Sequence, residues 1–208
     1  MQFALQSRGI ACLLRIHNRD TEDVAKACDA DADGVVIPYA EDVEELRRLV
    51  AAAKYRPLKG AAVEQLLVEG RWPSDKTRRY VEEKSANTFF AAMIESVTAL
   101  ERLDALCAVP GLDAVFMGPN DLSVSMGIPE ERDNPLFIDA MQRIIAVAAR
   151  HGVAAGAHFS HLPHALRMIR QGARFIPFSS DLRFVQLGLV ESLAALRGAS
   201  GPAKDRVI

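Results

Sequence analysis

Two carboxylates stand where two apolar segments of the chain end. Glu95 directly follows TFFAAMI (88–94), and Asp121 follows AVFMG (114–118) after a short turn. Because one strand-helix unit separates them, adjacent parallel strands would bring both side chains to the same edge of a sheet. Two carboxylate ligands, completed by waters and a substrate, suit Mg²⁺ or Mn²⁺. The alternative is that each acid only favours the N-terminus of its own helix.

An arginine and two histidines are predicted to share that edge. Arg15 lies inside the apolar segment ACLLRI (11–16), where an unpaired charge is unfavourable. It could bind a substrate carboxylate or a developing oxyanion, or it could form a structural salt bridge with Glu95 or Asp33. His17 follows the strand that holds Arg15, His158 stands at the end of another predicted strand, and an imidazole at either position can exchange a proton near neutral pH.

The elements that must position these residues alternate along the chain as strands and helices. The predicted strands are continuously apolar, which is typical of parallel strands buried on both faces. They are residues 11–16, 34–38, 88–94, 114–118, 153–159 and 174–180. This uninterrupted alternation predicts one α/β domain over residues 1–208. Residues 59–87 are polar and only weakly periodic, which predicts a long loop.

The choice between a doubly wound sheet and a barrel depends on the motifs. Neither GxGxxG nor GxxxxGK[ST] is present, which disfavours a nucleotide-binding doubly wound sheet. Polar residues follow most of the predicted strands, and a (β/α)8 barrel places its chemistry at the carboxyl ends of its strands. We therefore predict a TIM-barrel type of fold.

Composition narrows the classes of function. The chain has 208 residues, is 50% hydrophobic and 25% charged, and carries a formal net charge of -2. This charge provides no basic surface for nucleic acid or acidic membranes, and no apolar run has the length of a transmembrane helix. Three widely spaced cysteines and the lack of a signal-peptide pattern predict reduced thiols in a cytoplasmic protein.

Four segments together resemble the HpcH/HpaI aldolase family, which comprises class II pyruvate aldolases related to citrate lyase β-type enzymes. The segments are LLRIHNRD, the VVIPYAEDVEELRRLV region, MIES paired with AVPGLDAVFMGPNDLSVSMG, and GARFIPFSSD. The similarity runs from about residue 7 to 195. The pairing of MIES with the GPNDLS region, at the family's separation, is its most specific part.

The resemblance implies a divalent metal, Mg²⁺, Mn²⁺ or Co²⁺, bound by Glu95 and Asp121. It implies that Arg15 contacts the pyruvate or enolate oxygen, and that the Gly118-Pro119-Asn120-Asp121 turn holds the substrate carboxylate through its backbone. The implied reaction is cleavage of a 4-hydroxy-2-oxo acid to pyruvate and an aldehyde, and its reversal. The resemblance also implies a homo-oligomer, a hexamer or trimer of dimers.

The resemblance also predicts an incomplete barrel. In the family, two further βα units precede the strand that matches residues 11–16, and an acid-acid-His element there supplies the general base. About six βα units are therefore expected here. This leaves two alternatives to an active aldolase. One is an impaired homologue that binds metal and 2-oxo acid, unless His17 or His158 substitutes as the base. The other is a lyase acting on a CoA thioester.

Overall fold

A parallel β-sheet forms the centre of the protein. The structure, a computed structural model, describes residues 5–85 and 88–199. Its strands are β1 (Leu13–Arg15), β2 (Gly34–Ile37), β3 (Phe89–Ile94), β4 (Ala114–Met117) and β5 (Ala154–Ala157). All neighbouring pairs are parallel, and the strands lie side by side in their order along the chain. The predicted α/β class with a parallel sheet is confirmed.

The order of the strands bears on the choice of fold. A doubly wound sheet reverses its strand order at a switch point, whereas this sheet runs from β1 to β5 without reversal. The sixth predicted strand, 174–180, is not a regular strand. It is reduced to two isolated parallel bridges, from Phe175 to Gly156 and from Phe178 to Phe159. The sequential order is that of a TIM-barrel wall, and the absence of further βα units stays a prediction.

Helices follow the strands, and several of them pack against the sheet. They are α1 (Thr21–Asp29), α2 (Val43–Lys54), α3 (Ala61–Glu69), α4 (Asp75–Ser85), α5 (Val97–Glu101), α6 (Leu103–Cys107), α7 (Pro119–Ser125), α8 (Pro135–Arg150), α9 (Leu162–Arg170) and α10 (Asp181–Ala199). The side chains of Asp20, Asp42, Ser96 and Asn134 cap four of them. Such caps satisfy N–H groups that lack a partner within the helix.

The segment 59–87 was predicted as a long loop, and that prediction is wrong in its described part. It contains α3 and α4, whose only buried apolar side chains are Leu66 and Val81. One buried residue per helix leaves no periodic apolar stripe for a sequence pattern to reveal. Helix α4 is polar on nearly all sides, and the Arg78–Glu82 pair at 2.8 Å supports it. Residues 86–87 lie outside the described residues.

One smaller prediction also needs correction. Strand β1 was expected to be buried on both faces, but Leu14 and Arg15 are exposed, because β2 is the only strand beside β1 among the described residues. After β3, the chain forms two short helices, α5 and α6, that meet at Arg102. The Ser96 side chain caps α5 by accepting from the Ala99 N–H.

The main hydrophobic core lies between the sheet and its helices, and a smaller cluster lies on the opposite face. In the smaller cluster, the Phe175 ring packs against Phe89 and Phe116, with centroids 5.3 and 5.5 Å away. Gly156 allows this approach, since a Cβ there would lie 1.4 Å from the Phe175 carbonyl oxygen. In the described part of the chain, no helix is both long and apolar enough to cross a membrane.

Candidate active site

The carboxyl ends of β3 and β4 bring Glu95 and Asp121 together. Ile94 is paired with Met117, and the Gly118 N–H donates to the Ile94 carbonyl at 3.2 Å. Glu95 therefore leaves the sheet beside Gly118. A Cβ at Gly118 would lie 2.5 Å from Glu95 Oε1 and 2.7 Å from its Cγ. Only glycine leaves room for this carboxyl group.

Tyr39, which follows β2, contacts both acids. Its N–H donates to Glu95 Oε2 at 2.8 Å, and its hydroxyl donates to Asp121 Oδ1 at 3.1 Å. The hydroxyl must be the donor if Asp121 is ionised, because a carboxylate only accepts. The hydrogen bond to Asp121 raises the pKa of the Tyr39 phenol. Three strand ends thus meet in one hydrogen-bonded group.

Glu95 is a buried acid with only 3% of its surface exposed. Burial raises its pKa above the usual range, the nearby Asp121 adds to the rise, and the Tyr39 N–H and the Arg15 charge oppose it. The negative charge of the Glu95 carboxylate is therefore only partly stabilised by neighbouring groups of the protein. A cation bound at this position would complete the stabilisation.

Arg15 lies at the end of β1 and lines the same cavity as the two acids. It is exposed, and none of the salt bridges found among the described residues includes it. The predicted alternative of a salt bridge with Glu95 or Asp33 is therefore not observed. Asp33 instead accepts from the Cys12 N–H at 2.7 Å and the Gln6 amide at 3.0 Å. The Arg15 guanidinium is available to a ligand.

The predicted Gly118–Asp121 turn is the beginning of α7, with Gly118 as its N-cap and Asp121 in its first turn. The Leu122 N–H donates to the Gly118 carbonyl. Within the described residues, no hydrogen bond occupies the N–H groups of Asn120 and Asp121. Pro119 has no N–H, so it can contribute shape but no donor.

Arg132, from the loop before α8, fixes this turn from behind. Its guanidinium donates to the Pro119 carbonyl, to the Asn120 side-chain oxygen and to Ser123 Oγ, the last at 3.2 Å. It also lies over the Phe137 ring, 5.3 Å from the centroid. A planar fork with several donors is suited to holding such a turn in one geometry.

The two histidines differ in position. His158 lines the cavity and its Nε2 lies 3.0 Å from the Ser179 carbonyl oxygen. Since a carbonyl only accepts, Nε2 carries the proton, which leaves Nδ1 as an acceptor in the neutral ring. His17 is exposed in the loop after β1 and does not line the cavity. The structure brings together every predicted site residue except His17.

The cavity has a volume of about 280 Å³. It is lined by Arg15, Met93, Glu95, Phe116, Gly118, Pro119, Asn120, Asp121, His158 and Pro177. No group of three or more His, Cys, Asp or Glu side chains suited to a metal occurs in residues 5–85 and 88–199. The pair of carboxylates nevertheless fits Mg²⁺ or Mn²⁺, because Mg²⁺ is usually held by one or two carboxylates, waters and substrate oxygens.

Comparison with known proteins shows the family of the chain. The sequence pattern of the HpcH/HpaI aldolase/citrate lyase family matches residues 2–186. The chain belongs to this family. It is 31% identical over 207 residues to a 2-dehydro-3,6-dideoxy-6-sulfogluconate aldolase of Pseudomonas putida, covering 96% of this chain and 77% of that one. It is 31% identical over 185 residues to the 2-keto-3-deoxy-L-rhamnonate aldolase of Escherichia coli K12, covering 86% and 67% of the two chains.

Solved structures have the same fold. The HpcH/HpaI aldolase from Desulfitobacterium hafniense DCB-2 superposes with a TM-score of 0.81 at 28% identity, over 99% of this chain and 78% of that chain. The citrate synthase SbnG superposes with a TM-score of 0.78 at 24% identity, over 96% and 77%. The second likeness concerns the fold alone.

Sequence reasoning missed Tyr39 and Arg132. Tyr39 was visible as a tyrosine directly after the strand GVVIP, a position at the carboxyl edge of the sheet. Arg132 lies in the mixed-charge stretch PEERDNP, which is typical of a solvated loop and carries no sign of contacts 9 to 13 residues away. In this member of the HpcH/HpaI family, both residues support the site through contacts between separate elements.

Proposed function

We propose that the protein is a divalent-metal-dependent aldolase that cleaves 4-hydroxy-2-oxo acids to pyruvate and an aldehyde, and catalyses the reverse addition. The observation that supports this most directly is the convergence of Glu95, Asp121, Arg15 and the first turn of α7 on one cavity. The relatives named as aldolases support a carbon–carbon lyase.

Glu95 and Asp121 would hold the metal, with Mg²⁺, Mn²⁺ or Co²⁺ as the candidates. Both residues offer oxygen ligands, and Tyr39 bonds to one oxygen of each. A divalent cation bound there supplies Lewis-acid stabilisation for negative charge that develops on the 2-oxo oxygen of the substrate. The raised pKa of Glu95 is consistent with a position that receives positive charge from a ligand.

Two other groups would orient the substrate. The N–H groups of Asn120 and Asp121 can donate to its carboxylate, and Gly118 and Pro119 shape the backbone that presents them. Arg15 can donate to the 2-oxo oxygen, where charge increases as the bond breaks. Because Arg15 is not engaged in a salt bridge among the described residues, this contact would replace no existing pair.

Proton transfer requires a base for the hydroxyl group at C4. We assign this role to His158 Nδ1, since Nε2 is engaged with the Ser179 carbonyl. On cleavage, Nδ1 would accept the hydroxyl proton while the C3–C4 bond breaks and its electrons move into the enolate. The protonated His158 then returns this proton to the enolate carbon, which gives pyruvate and restores the base. His17 is the alternative, and its position outside the cavity disfavours it.

The test is release of pyruvate from 4-hydroxy-2-oxo acids with Mg²⁺, Mn²⁺ or Co²⁺, read by coupling to lactate dehydrogenase. We expect activity that EDTA removes and that added metal restores. His158→Ala should abolish the reaction, whereas the matched variant His17→Ala should retain it. No pyruvate with any of the three metals would contradict the proposal. Cleavage of malyl-CoA or citramalyl-CoA instead would favour a thioester lyase.

We also propose that the protein assembles with copies of itself through α10. The described side chains of this helix are exposed, and eight of them are large and apolar. Exposed apolar surface of this extent marks an interaction site. Sedimentation velocity should show a homo-oligomer of the hexamer or trimer-of-dimers type. Leu189→Glu should dissociate it, and the control Glu191→Gln should not. A monomer at all concentrations would contradict the assembly.

A further inference from the structure

The residue after Pro38 has an unusual backbone conformation at the candidate site. Tyr39 has a φ of 46°, in the left-handed region. A non-glycine residue there is strained and commonly marks a functional position. Arg19 holds the conformation, because its guanidinium donates to the Tyr39 carbonyl at 2.5 Å and pairs with Glu45 at 3.1 Å.

This conformation aims two donors of one residue at two different carboxyl groups. The backbone N–H bonds to Oε2 of Glu95, and the phenol bonds to Oδ1 of Asp121. One oxygen of each acid is thereby occupied, and Glu95 Oε1 and Asp121 Oδ2 are the oxygens that Tyr39 leaves for a ligand. The two hydrogen bonds fix the orientation of each carboxylate and disfavour chelation of one cation by both of its oxygens.

We propose that Tyr39 is a positioning residue that makes the site selective for a small divalent cation over Ca²⁺. Mg²⁺ accepts octahedral sites with one or two carboxylates and several waters, whereas Ca²⁺ takes six to eight oxygens and often binds a carboxylate through both. Loss of the phenol would free Asp121 Oδ1 and allow two-oxygen binding. The inference rests on the proposed function, which supplies the metal.

The experiment compares cation affinities of the wild type and Tyr39→Phe, titrated by calorimetry with MnCl₂, MgCl₂ and CaCl₂ in the absence of substrate. The wild type should prefer Mn²⁺ and Mg²⁺ to Ca²⁺. In Tyr39→Phe the Mn²⁺ affinity should fall about tenfold, as for loss of a group that orients a metal ligand. The Ca²⁺ affinity should not fall, so the ratio of the Ca²⁺ affinity to the Mn²⁺ affinity should rise by about tenfold.

Two further variants separate selectivity from general damage. Tyr80→Phe removes a phenol from α4, which lies outside the site's cavity, and should leave the ratio unchanged. Tyr39→Asn keeps the backbone N–H and tolerates the left-handed region, so it should reproduce the shift. A purely structural role for Tyr39 would change all three affinities in step.

Each outcome has a defined meaning. A Ca²⁺ to Mn²⁺ ratio that is the same in wild type and Tyr39→Phe overturns the role of Tyr39 and leaves the metal site standing. A wild type that binds none of the three cations overturns both the inference and the metal-dependent part of the proposed function. A shift in Tyr39→Phe and Tyr39→Asn, absent in Tyr80→Phe, supports the inference.

Discussion

The acidic side chains at the two ends of the sheet differ in their hydrogen-bond and ion-pair partners. At the amino end, Asp113 precedes β4 and accepts from the Phe90 N–H at 2.7 Å. It also pairs with Lys54 Nζ at 2.6 Å, and Lys54 donates to the Thr88 carbonyl at 2.5 Å. Asp33, before β2, accepts from Cys12 and Gln6, and these donors lower its pKa. Both carboxylates have donors within the protein.

At the carboxyl end, Glu95 and Asp121 lie beside each other, and the pKa of Glu95 is raised. Donors from Tyr39 bond to one oxygen of each, and the neighbouring positive side chain, Arg15, forms no salt bridge with Glu95 among the described residues. The difference indicates that acids at the amino end stabilise the fold, whereas those at the carboxyl end keep negative charge available to a ligand. In TIM barrels, residues at the carboxyl ends of the strands serve function and those at the amino ends serve stability.

The largest effect should come from neutralising Glu95. Glu95→Gln keeps the shape and the acceptor for the Tyr39 N–H but removes one metal ligand. We expect pyruvate release to fall about 10³-fold, while the free energy of unfolding of the metal-free protein, measured in urea, does not fall. The reason is that a buried charge with a raised pKa is replaced by a neutral group. Retained activity, or a clear loss of stability, would contradict the comparison.

Arg15 offers the next largest effect. Arg15→Lys keeps the charge but loses the planar fork, and we expect kcat/KM to fall about 10²-fold, as for loss of a donor to a developing oxyanion. The melting temperature should not change, because Arg15 is exposed and forms no salt bridge among the described residues. A drop in stability with normal kinetics would instead restore the structural salt-bridge hypothesis.

Asp113→Asn should show the opposite pattern. It keeps an acceptor for the Phe90 N–H but leaves the Lys54 ammonium, only 14% exposed, without its carboxylate. We expect the free energy of unfolding to fall by about 2 kcal/mol, with kcat/KM unchanged. Asp139→Asn, at an exposed position on α8, is the matched control and should alter neither quantity. A loss of activity in Asp113→Asn without a loss of stability would undermine the distinction between the two ends.

Arg132 tests whether the support behind the turn matters for binding. Arg132→Lys removes the fork that holds Pro119 and Asn120, so the N–H donors of the turn should be less well placed. We expect KM for the 2-oxo acid to rise about tenfold and kcat to change less, because binding contacts outweigh chemistry here. Arg143→Gln, at an exposed position on α8, is the control. A tenfold fall in kcat with an unchanged KM would contradict a positioning role.

Much of this architecture could be predicted because short apolar segments of the sequence mark its strands. Five of the six predicted strands are present, and helices alternate with them as the pattern predicted. The predicted neighbourhood of Glu95, Asp121 and Arg15 followed from one rule, that parallel strands end on the same edge. Local periodicity and topology were sufficient for these features.

The remaining features depend on contacts between distant residues. The left-handed Tyr39 is held by Arg19 and bonds to acids 56 and 82 residues away. The prediction of a sixth strand was wrong, because Phe175 and Phe178 form isolated bridges and no regular strand. Helices α3 and α4 escaped prediction because each buries a single apolar side chain. In each case tertiary contacts, rather than a local pattern, determine the conformation.

The smallest effect should distinguish the two ends by the sign of their pH dependence. Because the Cys12 N–H and the Gln6 amide lower the pKa of Asp33 below 3.8, the stability it contributes is complete above that pH. It is lost as the pH falls through the lower native value. In the metal-free protein, the contribution of Glu95 to stability has the opposite pH dependence. Its pKa is raised in the native state, so acidification through that pKa toward 4.5 increases the free energy of unfolding. Urea unfolding measured from neutral pH to below pH 3 should therefore differ from wild type in two ways. Below pH 3.8 the acid-induced loss of stability should be shallower in Asp33→Asn. Above pH 4.5, where Glu95 takes up its proton, the loss should be steeper in Glu95→Gln. Identical slopes in the two variants would mean that the environments of Asp33 and Glu95 do not differ as described.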